Sequence, residues 1–310
     1  MKRFDVAVII PTLNEEESIG WVIEENKRNL QNMNYVIVVV DGGSTDKTVE
    51  VAKLKGAEVI LQDDKGYGDA YIKGFDHVLS KYKPKIIVTI DGDGTYDPND
   101  LESLLEPILN GKADVVVGNR FLRMEKDAMN FINRFGNRVL SRLTRIMTGL
   151  KVEDAQSGYR ALKSEVAKIL PLKEKGMPFA VELLVKAYSH GFQIVEVPVA
   201  YRRRIGGRSK LNPFRDGFKI LNSIFKLALT YNPVFFTFFL GALLLIPGLL
   251  LATYTGYQYL VYGVKNHAME TTSFLLILSG FQSLLLAILA IYMKRMELRL
   301  LRYIRHRSEE

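Results

Sequence analysis

The stretch IIVTIDGDGTYDP, residues 86–98, carries a β-branched run into the protein and stops on two aspartates separated by one glycine. Consecutive isoleucine, valine and threonine suit a strand that is buried on both faces, as in a parallel sheet covered by helices. Asp91 and Asp93 therefore stand at the carboxyl end of a buried strand, and a bend at Gly92 can turn both carboxylates toward one point. Two anions so close are costly unless a cation sits between them. Mg2+ or Mn2+ bridging a diphosphate fits best, because these ions take carboxylate and phosphate oxygens together. A plain glycine-rich turn is the alternative reading of the same residues.

Similar runs recur at VAVII (6–10), YVIVVV (35–40), AEVIL (57–61) and DVVVG (114–118). Helical segments lie between them, with Asn14 ahead of EEESIGWVIEENKRNL, Thr45 ahead of DKTVEVAKLKG, and acidic residues opening DPNDLESLLEPIL. The alternation predicts an α/β domain with a doubly wound, mostly parallel, Rossmann-like sheet. Ligands of such sheets bind beyond the carboxyl ends of the strands, where strand order reverses. Glu15, Asp41, Asp91, Asp93 and Arg120 are all delivered to that rim. Each alone reads equally well as a turn or cap residue; five together do not.

Two nucleotide-binding patterns are excluded. PTLNEEE after the first strand lacks the Gly-x-Gly-x-x-Gly of dinucleotide folds, GYGDAY at Gly66–Tyr71 lacks the third glycine, and no P-loop is present. Cysteine is absent, and the four histidines have no metal-ligand spacing, so a carboxylate-held hard metal is the remaining metal chemistry.

PTLNE, VVVDGGSTDKT, TIDGDGTYDP, VVVGNR, DAQSGYRALK and RIGGRSKL follow one another in this order. The series, over about residues 4–212, resembles the GT-A family of inverting nucleotide-sugar glycosyltransferases, and within it the polyprenyl-phosphate (dolichyl-phosphate) hexosyltransferases. The resemblance implies that Pro11, Leu13, Glu15 and Asp41 hold the nucleoside, with Asp41 near the base. It implies that Gly66 and Gly68 let backbone approach the donor and that Asp91 and Asp93 bind the metal. Arg120, Arg134 and Arg204 would surround the phosphates, Lys210 would join Arg204 at the donor, and Asp154 to Arg160 would border the acceptor. Leu13 stands where the family more often has tyrosine. DGDGTYDP stands where dolichyl-phosphate mannose synthases usually carry DADLQHP, which favours UDP-glucose over GDP-mannose as donor.

The last third differs in composition. Residues 233–261 and 271–293 carry no charged side chain, and each exceeds the roughly 20 residues needed to cross a bilayer. They predict a transmembrane hairpin, kinked but not ended at Pro247 and Gly248. Arginine and lysine crowd residues 202–226 and 294–307, whereas the connecting loop offers only Lys265, which predicts a multi-pass cell-membrane protein with both termini and the α/β domain in the cytoplasm. MKRFDVAVIIP has Asp and Pro where a signal peptide needs an apolar core, and reads as mature sequence. The expected division is a catalytic domain (1–212), an interfacial helix (213–230), the hairpin (231–293) and a basic tail (294–310).

Two segments suit the membrane surface. Phe214, Phe218, Leu221 and Phe225 share one helical face opposite Arg215, Lys219, Asn222 and Lys226. Phe131, Phe135, Val139, Leu143 and Ile146 form a second stripe flanked by Arg134, Arg138, Arg142 and Arg145, which an ordinary core-facing helix with a basic outer face would also show. Membrane and phosphate account for the net charge of +8 without nucleic acid.

The expected reaction moves a hexose from a nucleotide diphosphate sugar to a polyprenyl phosphate and inverts the anomeric carbon. Asp93, Asp154, Arg120 and Arg134 carry the catalytic roles, with Asp154 either a general base or a residue positioning the acceptor. IGGRSKL reads as a mobile loop able to close over donor phosphates. A homo-oligomer is compatible with this reading. A processive polysaccharide synthase is the first alternative, but the Gln-x-x-Arg-Trp element of such enzymes is missing, the single tryptophan being Trp21. A non-catalytic membrane scaffold is the second, and intact Asp91, Asp93 and Arg120 argue against it.

Overall fold

Val6 to Ile10 are almost wholly buried along one continuous run, and a strand with both faces covered belongs inside a sheet flanked by helices. In the computed structural model, which describes residues 4–64, 66–207 and 213–309, this run is β1 (Val6–Thr12). β2 (Tyr35–Asp41), β3 (Glu58–Leu61) and β4 (Ile86–Thr89) pair in parallel around it, β2 and β4 on either side of β1 and β3 outside β2. α1 (Ile19–Asn29), α2 (Thr48–Leu54) and α3 (Tyr67–Lys81) make the crossovers between these four strands.

The full order is β3-β2-β1-β4-β6-β5-β7. β5 (Val115–Met124) follows α4 (Leu101–Leu109). β6 (Arg160–Lys163) lies antiparallel between β4 and β5, and β7 (Ile194–Tyr201) runs parallel to β5. The strand order turns back between β1 and β4, which puts the crevice of the fold at their carboxyl ends. Both β6 and β7 go beyond the five strands read from sequence. Three more helices complete this part: α5 (Phe131–Thr148) after β5, then α6 (Ser164–Ile169) and α7 (Phe179–Ser189) between β6 and β7.

Two expected helix starts are displaced. α1 begins at Ile19, because Asn14 has a left-handed φ of 54° and its side chain accepts from the Thr45 N–H at 2.8 Å. α2 begins at Thr48, whose N–H is taken by Asp46 Oδ1 at 3.0 Å. The residues between strand and helix are thus spent on bracing the β1 and β2 loops against each other.

The chain divides into two compact units, Met1–Lys226 and Leu227–Glu310. α8 (Pro213–Tyr231) starts in the first, with Phe214, Phe218, Leu221 and Phe225 exposed and Ile220, Ser223 and Ile224 buried. The second contains α9 (Pro233–Tyr262), which continues through Pro247, and α10 (His267–Glu309). The apolar spans Pro233–Tyr262 and His267–Glu297 have mean hydropathies of 2.5 and 2.4. At about 1.5 Å per residue each is longer than the hydrocarbon core of a bilayer. Glycine lets the two helices touch: a Cβ on Gly280 would fall 2.7 Å from the Leu245 nitrogen, and one on Gly241 would fall 2.9 Å from Leu284. Ser283 donates across the pair to the Thr237 carbonyl at 2.7 Å.

Candidate active site

The crevice is built from strand ends. At the end of β1, Pro11 is half-buried and Leu13 is exposed on the rim. Thr12 donates its hydroxyl to Asp41 Oδ1 at 3.1 Å. Asp41, at the end of β2, is 1% exposed and accepts the Gly43 and Ser44 N–H groups on Oδ2 at 2.9 and 2.8 Å. Its carboxylate therefore shapes the loop at residues 42–44. Glu15 is tied to α2 through its N–H on Thr48 Oγ1 at 2.7 Å.

β4 delivers the two aspartates. Asp91 Oδ1 accepts from the Tyr67 and Tyr71 hydroxyls at 3.0 and 3.1 Å. The tyrosines sit one turn apart on α3, ring against ring at 5.0 Å, and Tyr71 stacks on Phe179 at 5.3 Å. A Cβ on Gly158 would lie 2.5 Å from the Tyr67 hydroxyl and 2.7 Å from Asp91 Oδ2, so this glycine is needed for the cluster to close. Enclosure, and then the charge of Asp93, push the Asp91 carboxyl from 3.8 up to about 6, against the opposing pull of the two tyrosine hydrogen bonds and Arg120. Asp93 directs Oδ1 to the Thr95 N–H and hydroxyl at 3.0 and 2.7 Å and Oδ2 to Arg204 at 3.2 Å. Arg204 also pairs with Glu15.

These carboxylates fit a divalent cation. Burial, and then the repulsion between them, raise the pKa of Asp91, and Asp93 already draws a cationic side chain onto Oδ2. Among the described residues no group of three or more His, Cys, Asp or Glu is placed to share an ion. One or two carboxylates completed by water and phosphate oxygens is the usual protein share for Mg2+.

Arg120 and Asp154 are partners, which sequence spacing does not reveal. Arg120 donates from Nε and Nη2 to the two oxygens of Asp154, both at 2.7 Å, and from its backbone N–H to Oδ2 at 3.0 Å. Both residues are buried, Asp154 completely. Burial alone would lower the Arg120 pKa, but Asp154 and then Tyr96 carry it well above the ordinary guanidinium value. The Tyr201 ring lies 5.4 Å beneath the guanidinium. Glu196 holds the opposite side of the loop by accepting the Glu153 and Asp154 N–H groups at 2.8 Å. With both oxygens engaged and no exposure, Asp154 is not placed as a general base or as an acceptor contact; it fixes Arg120. A register irregularity of β5 against β7 between Asn119 and Arg123 re-aims the strand at this point.

Arg134 is exposed near the start of α5 and makes no hydrogen bond or ion pair with the Arg120–Asp154 group among the described residues. The helix itself does return to that group. Ser141 Oγ accepts the Ala155 N–H at 3.1 Å, and the Arg138 guanidinium lies 5.2 Å from the Phe121 ring. α5 is turned inside out relative to a core-facing helix: Ser141, Thr144 and Thr148 are buried, while Phe131, Ile132, Phe135, Val139 and Ile146 are exposed.

Gly66 and Gly68 are demanded by the chain's own backbone. Gly66 has a φ of 151°, and a Cβ there would fall 2.2 Å from the Lys175 carbonyl; one on Gly68 would fall 2.1 Å from the Glu174 carbonyl. Lys210 lies outside the described residues. Sequence reading missed Tyr67, Tyr71, Tyr96 and Glu196. The spacing of Tyr67 and Tyr71 on one face of α3 was the available signal, legible only once β4 is known to end beside that face.

Residues 7–170 match the description "Glycosyl transferase family 2". Glycosyltransferase AglJ of Haloferax volcanii is 34% identical over 288 residues, covering 92% of this chain and 92% of its own. A dolichyl-phosphate hexose transferase of the same organism is 37% identical, covering 73% of this chain and 94% of its own. In structure, glucosyl-3-phosphoglycerate synthase from Mycobacterium tuberculosis, in complex with Mn2+, uridine diphosphate and glucosyl-3-phosphoglycerate, aligns with a TM-score of 0.60 at 22% identity, covering 73% of this chain and 80% of that one.

Proposed function

The chain belongs to glycosyl transferase family 2, and from that membership we propose that it transfers a hexose from a nucleotide diphosphate sugar to a polyprenyl phosphate at the cytoplasmic face of a membrane, with inversion. The observation that carries the acceptor is α5. Its aromatic face points outward, its small polar face points inward, and its Ser141 touches the loop that holds Arg120. An exposed apolar stripe flanked by arginines suits a headgroup layer. The name of the Haloferax volcanii dolichyl-phosphate hexose transferase supports the same acceptor class.

An acceptor phosphate oxygen attacks the anomeric carbon, and the bond from that carbon to the donor diphosphate breaks with the electron pair leaving on oxygen. A phosphate monoester is largely ionised at neutral pH, its second pKa being about 6. No proton must be removed, in keeping with the engagement of Asp154 by Arg120. Asp91 and Asp93 would hold Mg2+ or Mn2+, which supplies positive charge for the leaving diphosphate. Arg120, buried and oriented by Asp154, stands close enough to Asp91 to favour its ionised form, and Arg204 is the cation at the donor side. Glu15 and the ordered loop at Asp41 form the nucleoside end. UDP-glucose is favoured over GDP-mannose by the DGDG motif.

Membranes containing the chain, supplied with polyprenyl phosphate and a panel of radiolabelled nucleotide sugars, should yield one labelled lipid, lost in Asp93→Asn. A labelled polymer would instead identify a processive synthase. No product from any donor would leave a scaffold.

A further inference from the structure

The loop after β7 lies on the donor-side carboxylates. Arg204 donates from Nη1 to Asp93 Oδ2 at 3.2 Å and from Nη2 to Glu15 Oε1. Its Nε donates to the Gly206 carbonyl at 2.8 Å, which curls the loop around its own side chain. Two close approaches seat the loop: a Cβ on Gly94 would fall 2.4 Å from Ile205 Cδ1, and one on Gly206 would fall 1.8 Å from Glu17 Oε2. Glu15 follows β1 and Asp93 follows β4, so one guanidinium spans the crevice where the strand order reverses.

Asp93 has a single oxygen to offer. Oδ1 is committed to the Thr95 N–H and hydroxyl. Oδ2 is the oxygen an incoming ion needs, and it is the one Arg204 occupies. A divalent ion arriving alone would have to break that pair and leave the guanidinium with Glu15 as its one remaining anionic partner of the two. An ion arriving with a diphosphate brings a replacement anion.

We propose that Arg204 is a resident counter-cation of the donor-free enzyme, that a divalent ion takes Asp93 by displacing it, and that the freed guanidinium passes to the diphosphate that accompanies the ion. The inference rests on the donor and metal assignment made under the proposed function. It makes metal and nucleotide binding cooperative: each is weak alone, because only together do they complete the exchange.

The test uses the purified full chain in detergent with Mn2+ as probe, reading free Mn2+ by electron paramagnetic resonance, first alone and then with saturating UDP or GDP. Without nucleotide, Arg204→Gln should bind Mn2+ about tenfold more tightly than the unaltered chain, the equivalent of about one charge-assisted hydrogen bond. With nucleotide the order should reverse, Arg204→Gln binding Mn2+ roughly tenfold more weakly. Arg204→Lys, a point charge without the two-pronged fork, should fall between. A misfolded variant cannot produce the first gain. Equal or weaker Mn2+ binding by Arg204→Gln without nucleotide overturns the exchange. If that occurs while Mn2+–nucleotide binding persists and is lost in Asp93→Asn, the functional reading stands and the exchange alone falls. If the unaltered chain binds no Mn2+ with either nucleotide, the metal assignment falls and the exchange with it.

Discussion

Replacing Tyr67 and Tyr71 by phenylalanine, singly and together, asks whether the two hydroxyls keep Asp91 ionised for its cation. Both donate to the same oxygen, Oδ1, at 3.0 and 3.1 Å. They stabilise the carboxylate and not the acid, so they hold down a pKa that enclosure and Asp93 have raised to about 6. A hydrogen bond to a charged group contributes about 1.5 kcal/mol at the low end of its range, which is about one pH unit. The acid limb of ion binding should therefore move up by about one pH unit in each single variant and by about two in the double. The sign follows from proton competition. The ion needs the carboxylate, so binding is full above the pKa and falls about tenfold per unit below it. At pH 7 the apparent Mn2+–nucleotide affinity should drop about twofold in each single variant and about tenfold in the double. Calorimetric titration with Mn2+ and UDP or GDP from pH 5.5 to 9 measures it. Full affinity should return at the alkaline end, which simple loss of folding would not give. An acid limb that stays near pH 6 in the double variant would refute the role given to the tyrosines.

Asp154→Asn leaves Arg120 buried without its counter-charge, which should cost about 3–5 kcal/mol of stability and abolish transfer. Adding Arg120→Met should recover most of the melting temperature of the catalytic unit, followed by tyrosine fluorescence, without recovering activity. Phe131→Ser with Phe135→Ser should raise the KM for polyprenyl phosphate severalfold and leave donor affinity unchanged, since those rings are exposed on the outward face of α5; a change confined to donor binding would contradict the acceptor assignment. For topology, the chain has no native cysteine, so Asn266→Cys should be labelled from outside sealed cells and Arg299→Cys only after permeabilisation.

The carboxylates at the end of β4 were legible because a β-branched run in a covered sheet seldom stops on paired charge unless a ligand meets that charge at the rim. The Arg120–Asp154 pair was not, since the partners are 34 residues apart and meet only because β6 inserts antiparallel between β4 and β5. β6 itself is four residues long, too short for a periodicity to declare it. Asn14 and Thr45 resembled helix caps because the same side-chain chemistry that caps a helix also ties one loop to another. Gly66 and Gly68 were read as places where the backbone approaches the donor, and the neighbour that requires glycine there is the Glu174–Lys175 backbone. α5 shows the limit of amphipathic patterning: the pattern establishes two unlike faces, and only the burial of Ser141, Thr144 and Thr148 says which of them is inside.

That reversed helix also governs how the protein can be handled. Cutting the chain ahead of Pro233 removes both long apolar spans but leaves the outward rings of Phe131 and Phe135 on α5 and of Phe214 and Phe218 on α8. Large aromatic side chains left exposed in this way favour self-association in water. The shortened chain should accordingly pellet with vesicles or clump without detergent, and its solubility would have to be engineered at these four phenylalanines.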